Sequence, residues 1–189
     1  GTAIIYNDSE GENMIVVAPG ANHHMGHADL VKLDDLRPGD VLLMPLELPL
    51  DVVAAAVELG TARGARVILN LAPFAPLPAS VLALCDPVVV NEHEAELLER
   101  AGIHAPSVLH TLGTRGSRWG DVQVPSVPGT RVHTTGAGDA YCGTLAARLS
   151  VGDDRETAMR AASEAAARCV EHAGAQPPLP FSDPPRDHS

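Results

Sequence analysis

The sequence predicts an α/β fold, in which a mostly parallel β-sheet with helices on both faces follows a β-hairpin. Short runs that are apolar throughout alternate with segments of helical periodicity, which is the pattern of parallel strands buried on both faces. Aromatic residues make up only 3% of the chain while alanine is abundant, so small and branched side chains must form the core. At 189 residues, the chain has the length of one domain with a hydrophobic core.

The hairpin is predicted within residues 1–20. The runs at residues 3–6 and 14–18 have β-type composition, and the polar segment 8–12 between them is typical of a turn. The chain begins with glycine, not Met, inside strand-like sequence. Such a start is typical of a chain that is part of a longer protein or that is left by processing.

From residue 40 onward, strands and helices alternate. Four apolar runs predict buried strands, and helical segments separate them. The predicted strands are residues 41–44, 66–70, 88–90 and 108–112, and the predicted helices are residues 50–63, a short helix ending near Cys85, and residues 92–101. Loops that follow parallel strands lie at one edge of such a sheet, where open α/β sheets bind ligands.

The later part of the chain has a different pattern. A polar stretch around Trp119 predicts a short hairpin, and the glycine-rich run at residues 134–139 follows it. Helices are predicted at residues 140–149 and 155–173. Prolines in the tail, residues 177–189, predict irregular structure there.

Charge and cysteine usage argue against several classes of protein. The net charge is −11 and Lys32 is the only lysine, so no basic stripe is available for nucleic acid or an anionic membrane. The three cysteines are widely spaced and lack a Cys-x-x-Cys pair, which argues against a disulfide framework and a zinc knuckle. No apolar run has membrane-spanning length, and no signal-peptide pattern opens the chain. We expect a cytoplasmic protein.

The sharpest motif is Thr-Thr-Gly-Ala-Gly-Asp at residues 134–139, directly before a helical run. Small residues let backbone N–H groups converge on an anion, and the amino end of the following helix adds positive partial charge. Asp139 at the helix start is suited to accept the proton of a hydroxyl that attacks a γ-phosphate. For an isolated Gly-x-Gly-Asp, a glycine turn with Asp139 as helix N-cap is the favoured alternative.

Asn91 and Glu94 form a second candidate pair across a strand end and the first turn of a helix. Side chains at this spacing can face the same side, and their oxygens suit a water-coordinated Mg²⁺. The same spacing is that of a capping box, in which Asn91 caps the helix and Glu94 reaches back to it. The residues alone leave both interpretations open.

Other patterns carry no assignment. His23, His24 and His27 form a His-His-x-x-His cluster, but no Glu follows as in zinc proteases, so we expect surface histidines. Lys32 follows no glycine-rich loop, which excludes a Walker phosphate loop. The glycines at 136–138 lie late in the chain and lack the third glycine of a dinucleotide-binding dehydrogenase.

Three motifs in a fixed order resemble those of the ribokinase-type sugar kinases, the PfkB family. They are Asn-Glu-His-Glu at residues 91–94, Thr-Leu-Gly-Thr-Arg-Gly at residues 111–116 and the run at residues 134–139. The resemblance implies a ribokinase-like fold. Residues 1–176 would form a partial kinase domain, with a lid-type hairpin at residues 1–20 and a nucleotide-binding part at residues 40–176.

The resemblance also implies a role for each matching residue. Asp139 would be the catalytic base and would also contact the sugar. The backbone of Gly136, Ala137 and Gly138 would form an anion hole. Glu47 would be a second contact to the sugar. Asn91 and Glu94 would organise Mg²⁺. The implied contacts to ATP are Thr111, Gly113, Thr114, Gly116, Asn91 and Gly174, the last in the segment that lines the adenine pocket.

Three departures from the family pattern bear on function. His133 stands where family members typically have Asp, and an imidazole is a poor ligand for a hard cation, which argues against activation by potassium. The segment 101–108 is short where the family normally inserts a helix, so part of the sheet would be exposed unless another segment covers it. The N-terminal Gly-Gly motif that binds sugar in the family has no counterpart here.

The leading hypothesis is ATP-dependent phosphorylation of a sugar hydroxyl, on ribose or a related pentose or nucleoside. MgATP and a small sugar are the expected ligands, neither nucleic acid nor a membrane is an expected partner, and a homodimer is compatible with the resemblance. The alternative is a truncated, catalytically weak or inactive relative that binds nucleotide or another chain. The absent sugar motif, the short segment and His133 favour this alternative.

Overall fold

The computed structural model describes residues 1–7, 13–128 and 134–171. These residues form two compact units. The first comprises Gly1–Leu112 and Arg118–Asp121. The second comprises Gly113–Ser117 and the described residues from Val122 onward.

An antiparallel hairpin of β1 (Thr2–Asn7) and β2 (Asn13–Ala18) opens the first unit, as predicted. Ile4 pairs with Val16, and Ala3 pairs with Val17. Ile4 is 66% exposed and Val16 is 59% exposed, so this pair of apolar side chains faces solvent. The segment between the two strands lies outside the described residues.

A parallel sheet forms the centre of the first unit and confirms the predicted α/β fold. Its strands lie side by side in chain order: β3 (Val41–Pro45), β4 (Arg66–Asn70), β5 (Val88–Val90) and β6 (Val108–Thr111). Val67, Ile68 and Leu69 are at most 1% exposed, so β4 is buried on both faces. Since the strands are parallel, their carboxyl ends share one edge of the sheet.

Three helices of the first unit confirm the predicted alternation: α1 (Leu50–Ala62), α2 (Ala79–Leu82) and α3 (Glu92–Arg100). Val53 and Val57 of α1 belong to one apolar cluster with Leu42 and Leu69 of the sheet. Gly60 permits close packing at this contact, because a Cβ there would lie 2.8 Å from the Leu42 side chain. The helix therefore lies against β3 and β4 at short range.

The short segment between α3 and β6 contributes apolar side chains to the core of the first unit. Ile103 and Ala105 pack against the apolar cluster, and Ala105 is 6% exposed. All three residues of β5 remain buried. On β6, Leu109 is fully buried while His110 is half-buried. Among the described residues of these two strands, only β6 has side chains that are not fully buried.

A polar network joins the amino ends of the strands, at the opposite edge of the sheet from the carboxyl ends. The Ser107 hydroxyl donates to Asp86 Oδ1 over 2.6 Å and accepts from Trp119 Nε1 over 2.9 Å. Arg66 Nη2 donates to Asp86 Oδ2 over 2.6 Å, and its guanidinium lies 5.3 Å from the Trp119 ring centroid. These buried and half-buried groups satisfy one another.

The second unit is built on two helices, α4 (Ala137–Ser150) and α5 (Arg155–Val170). Two short strands precede them, β7 (Ser117–Trp119), which divides between the units, and β8 (Val122–Val124). Leu145 of α4 and Met159 and Ala162 of α5 are fully buried. Asp154 caps α5 by accepting a hydrogen bond from the Thr157 N–H over 2.8 Å.

The structure also describes all three cysteines. Cys85, Cys142 and Cys169 are buried free thiols, as the cysteine spacing predicts. Burial raises the pKa of the Cys85 thiol to about 12. Among the described helices, none has both the length and the apolar character needed to cross a bilayer.

Candidate functional site

Three of the predicted site residues lie at the carboxyl edge of the sheet in the first unit. Glu47 is exposed just after β3, Asn91 follows β5 directly, and Thr111 is the last residue of β6. The Thr111 hydroxyl donates to the Val90 carbonyl over 3.4 Å and so joins the ends of β5 and β6. These residues therefore lie at the edge where open α/β sheets place ligands.

Asn91 and Glu94 form a reciprocal capping box at the start of α3. The Glu94 N–H donates to Asn91 Oδ1 over 2.9 Å, and the Asn91 N–H donates to Glu94 Oε2 over 2.7 Å. The Asn91 amide also donates to Glu94 Oε1 over 3.0 Å. Both predicted side chains thus meet in a capping box, the arrangement predicted as the alternative to a magnesium site.

The Glu94 carboxyl is 8% exposed, and burial raises its pKa above the ordinary value. The hydrogen bonds from Asn91 act in the opposite direction. Since Asn91 already engages both carboxylate oxygens, direct ligation of a metal would disturb the helix cap. A Mg²⁺ ion that kept its own water molecules, as the ion usually does, would leave this capping box intact.

In the second unit, the glycine-rich loop turns directly into α4. Gly136 has a left-handed backbone with φ of 83°, and the Ala137 N–H donates to the Thr134 carbonyl over 3.3 Å. The Ala140 N–H donates to the Gly136 carbonyl over 2.9 Å, which begins the helical pattern. The N–H groups between them belong to the first turn, where a helix offers unpaired donors to an anion.

Asp139 is exposed in the first turn of α4, and Gly136 holds the N-cap position. The alternative that made Asp139 the N-cap is therefore wrong, and no side chain caps this helix. Gly138 is also exposed, and a Cβ added to it would meet nothing within 4 Å. Among the described residues, none occupies the space beside Gly138, which leaves room there for a ligand.

The predicted nucleotide loop lies in the same unit as the glycine-rich loop. It forms a 3-10 turn at Gly113–Arg115 and then passes through Gly116, whose φ is 90°. A Cβ on Gly116 would overlap the Val124 carbonyl oxygen and lie 2.7 Å from the Pro125 carbonyl carbon. Glycine is thus required at position 116 both by backbone conformation and by packing.

The sequence did not predict the contacts that support these two loops. The Tyr141 hydroxyl donates to Ser117 Oγ over 2.7 Å, the Ser126 hydroxyl donates to the Thr114 carbonyl over 2.5 Å, and the Cys169 thiol donates to the Thr135 carbonyl over 3.7 Å. Burial raises the pKa of Tyr141 to about 12, so this phenol stays protonated as a donor at neutral pH. The only signal in the sequence was that Ser117 and Tyr141 adjoin the two motifs.

Other predicted residues are not part of this arrangement. His133 and Gly174 lie outside the described residues. Within the part of the chain that the structure describes, no group of three or more His, Cys, Asp or Glu side chains could hold a metal ion. His23, His24 and His27 lie on exposed 3-10 turns, as surface histidines were expected to do.

The chain matches a known protein family along almost its whole length. The model of the family described as pfkB family carbohydrate kinase matches residues 1–182. The chain belongs to this family. A Staphylococcus aureus (strain COL) ribokinase is 31% identical over 203 residues, covering 96% of this chain and 67% of that relative.

Solved structures of family members support the same assignment. The ribokinase of Thermotoga maritima matches with a TM-score of 0.78 and 26% identity over 92% of this chain and 64% of that chain. The Arabidopsis thaliana ribokinase complexed with ribose and ATP matches with a TM-score of 0.76, with 26% identity and the same coverage of both chains. These matches confirm the ribokinase-like fold, and the chain spans about two thirds of the length of these family members.

Proposed function

We propose that the protein transfers the γ-phosphoryl group of ATP to a hydroxyl of ribose or of a related pentose or nucleoside. The observation that carries the proposal is the first turn of α4, where the exposed Asp139 carboxylate stands beside the backbone N–H groups of a left-handed glycine turn. Family membership supports the reaction class. The relative complexed with ribose and ATP supports the choice of substrates.

Asp139 accepts the proton of the sugar hydroxyl as that oxygen bonds to the γ-phosphorus and the bond from phosphorus to the ADP oxygen breaks. The N–H groups from Gly136 to Gly138 face the charge that develops on the transferring oxygens. Gly138 lets a phosphate approach the backbone closely, since the space beside it is open. Positioning and charge stabilisation therefore provide most of the acceleration.

The remaining predicted residues organise the ligands. Asn91 and Glu94 would hold Mg²⁺ through water, and bound Mg²⁺ would offset charge on the phosphates. Glu47 contacts the sugar. The nucleotide contacts proposed here are Thr111, Gly113, Thr114, Gly116, Asn91 and Gly174.

We also propose a cytoplasmic homodimer. Ile4 and Val16 form an exposed apolar pair on the hairpin, which a second copy of the chain would cover. The three buried thiols are compatible with a reducing compartment.

The proposal is tested by Asp139→Asn, which keeps the shape of the side chain and removes the base. Because Asp139 is exposed, we expect unchanged thermal unfolding together with a loss of phosphorylation by about a hundredfold or more. Asp51→Asn, in the first turn of α1, is the matched control and keeps its activity. Phosphorylation of a pentose and nucleoside panel at the wild-type rate by Asp139→Asn would refute the assignment.

A second function, that of a nucleotide-binding module, is favoured by two departures from the family pattern, the short segment 101–108 and His133. A catalytically weak relative would bind MgATP without phosphorylating any acceptor. Isothermal calorimetry with MgATP, performed beside the phosphorylation assay, separates the two functions. Heat of binding without turnover supports the nucleotide-binding module, and turnover of any acceptor supports the kinase.

A further inference from the structure

One buried hydrogen bond joins the two loops of the second unit. Tyr141 lies in α4, shortly after Asp139, and Ser117 directly follows Gly116. The phenol donates to the serine hydroxyl over 2.7 Å, with Tyr141 only 5% exposed and Ser117 only 1% exposed. We propose that Tyr141 and Ser117 are a positioning pair, which holds the nucleotide loop at a set distance from the anion-binding turn of α4. This inference rests on the proposed phosphoryl transfer.

The bond is connected to the nucleotide loop through rigid backbone. Gly116 cannot shift toward β8, because the Val124 carbonyl and Pro125 pack directly against its Cα. The Ser126 hydroxyl fixes the Thr114 carbonyl in the same loop. A displacement of Ser117 therefore moves the whole turn that begins at Gly113.

On the other side, the bond is connected to the anion-binding turn through a helix. Ala137 and Gly138 precede Tyr141 by four and three residues, so they lie on the same face of α4, one turn nearer its amino end. A helix moves as a unit over such a distance. A shift of the Tyr141 ring therefore shifts the N–H groups that would hold the γ-phosphate, and small misplacements of this kind lower reaction rates strongly.

The first unit contains a bond of the same type that serves as a matched control. Ser107 Oγ accepts from the indole of Trp119 over 2.9 Å, at the amino edge of the parallel sheet. Ser107→Ala and Ser117→Ala each remove one serine hydroxyl that is bonded to a buried aromatic side chain. Only the second hydroxyl adjoins the proposed ligand loops.

The test compares Tyr141→Phe, Ser117→Ala, the double variant and Ser107→Ala. We measure kcat and KM for MgATP, thermal unfolding, and hydrogen exchange of the backbone amides of residues 134–140 without nucleotide. Each single variant of the pair is expected to raise KM for MgATP about five-fold, the scale of one ordinary hydrogen bond, and to accelerate that exchange. In the double variant, KM and the exchange rate should not exceed the values of the more strongly affected single variant, because both changes remove the same bond.

Ser107→Ala should lower the unfolding temperature while KM and exchange at residues 134–140 keep their wild-type values. Equal effects of Ser107→Ala and Ser117→Ala, or fully additive effects in the double variant, would overturn the positioning pair. If wild-type protein neither binds MgATP nor phosphorylates an acceptor, the proposed function fails, and the exchange rates still decide the pair. Faster exchange in Tyr141→Phe supports it, and unchanged exchange overturns it.

Discussion

Gly138 and Gly143 are two exposed glycines of α4. Both have free space where a Cβ would lie, but their proposed roles differ. A Cβ added to either one would meet nothing within 4 Å. We expect Gly138→Ala to leave stability unchanged or raise it by up to ~1 kcal/mol, because alanine is the better helix former. The same methyl group would occupy the space of a phosphate oxygen, so kcat/KM for MgATP should fall about tenfold or more.

Gly143→Ala is the control for this prediction. It adds the same methyl group to the same helix, away from the glycine-rich loop. We expect the same change in stability as in Gly138→Ala, together with wild-type kcat/KM. Steady-state kinetics and thermal unfolding of the two variants provide the comparison. A Gly138→Ala protein that phosphorylates normally would show that no phosphate approaches the backbone at position 138.

Residues differ in how far the sequence alone reveals their roles. Asp139 was predicted because its motif consists of neighbours along the chain. The partnership of Tyr141 with Ser117 was not predicted, since it joins residues that are distant in sequence and depends on how β7 and α4 pack. A hydroxyl on an otherwise apolar helix face carries no signal of its partner.

At the scale of elements, the capping box of α3 and the cap of α5 allow the structural and metal roles of Asn91 to be separated. Asn91→Ala and Asp154→Ala each remove an N-cap acceptor, so each should lower the free energy of unfolding, Asn91→Ala by ~1 kcal/mol. Only Asn91→Ala should also raise the Mg²⁺ concentration needed for half-maximal phosphorylation. Urea unfolding and Mg²⁺ titration of the reaction rate measure the two effects. An equal Mg²⁺ requirement in both variants would leave Asn91 a purely structural cap.

Helix boundaries show why element prediction was accurate in one place and not in another. α3 begins at Glu92 as predicted, because an N-cap residue with Glu94 three positions later is a local signal. α4 begins at Ala137, earlier than the predicted start at residue 140. Gly136 and Gly138 have low helix propensity, which hid the first turn, although a glycine with positive φ can serve as the N-cap.

A half-buried histidine on β6, His110, leads us to predict a pH effect on stability. Burial lowers the pKa of His110 on β6 below its ordinary value of 6.5, and the Arg118 charge lowers it further. Because the unfolded chain binds this proton more readily, the contribution of neutral His110 is present above about pH 6.5 and is lost as pH falls toward the folded pKa. Arg118→Gln should raise the His110 pKa and weaken this loss.

Imidazole NMR titration, assigned with His110→Gln, measures that pKa directly, and urea unfolding across the same pH range measures stability. Arg37→Gln removes an exposed arginine elsewhere and should leave the His110 titration unchanged. A His110 pKa that is the same with and without Arg118 would contradict the proposed interaction.

At the scale of the whole molecule, the order of strands and helices was predictable because alternation of apolar strands with helices specifies a parallel sheet. The family assignment followed from three motifs in a fixed order, and the match over residues 1–182 confirms it. The division into two compact units was not predicted, since the chain crosses between them at residues 113, 118 and 122 without a linker-like composition. Contacts between distant segments, not local composition, define such units.

The exposed hairpin provides the prediction for assembly of the whole protein. A two-stranded ribbon is only marginally stable alone, and Ile4 and Val16 gain a favourable environment if a second copy covers them. We expect wild-type protein to sediment as a dimer at physiological salt, where the repulsion from the net charge of −11 is screened. Ile4→Glu combined with Val16→Glu should shift sedimentation to the monomer.

Val31→Glu is the control for assembly, because Val31 is 65% exposed but lies on a 3-10 turn outside the hairpin. Like one of the hairpin substitutions, it adds a negative charge and removes an exposed apolar side chain. It should leave the dimer intact. Dissociation by Val31→Glu would indicate that general repulsion, not loss of the hairpin contact, separates the subunits. If the wild-type protein remains monomeric as its concentration rises, the hairpin is not a dimer interface. Burial of its apolar side chains would then contribute too little to offset the free-energy cost of association.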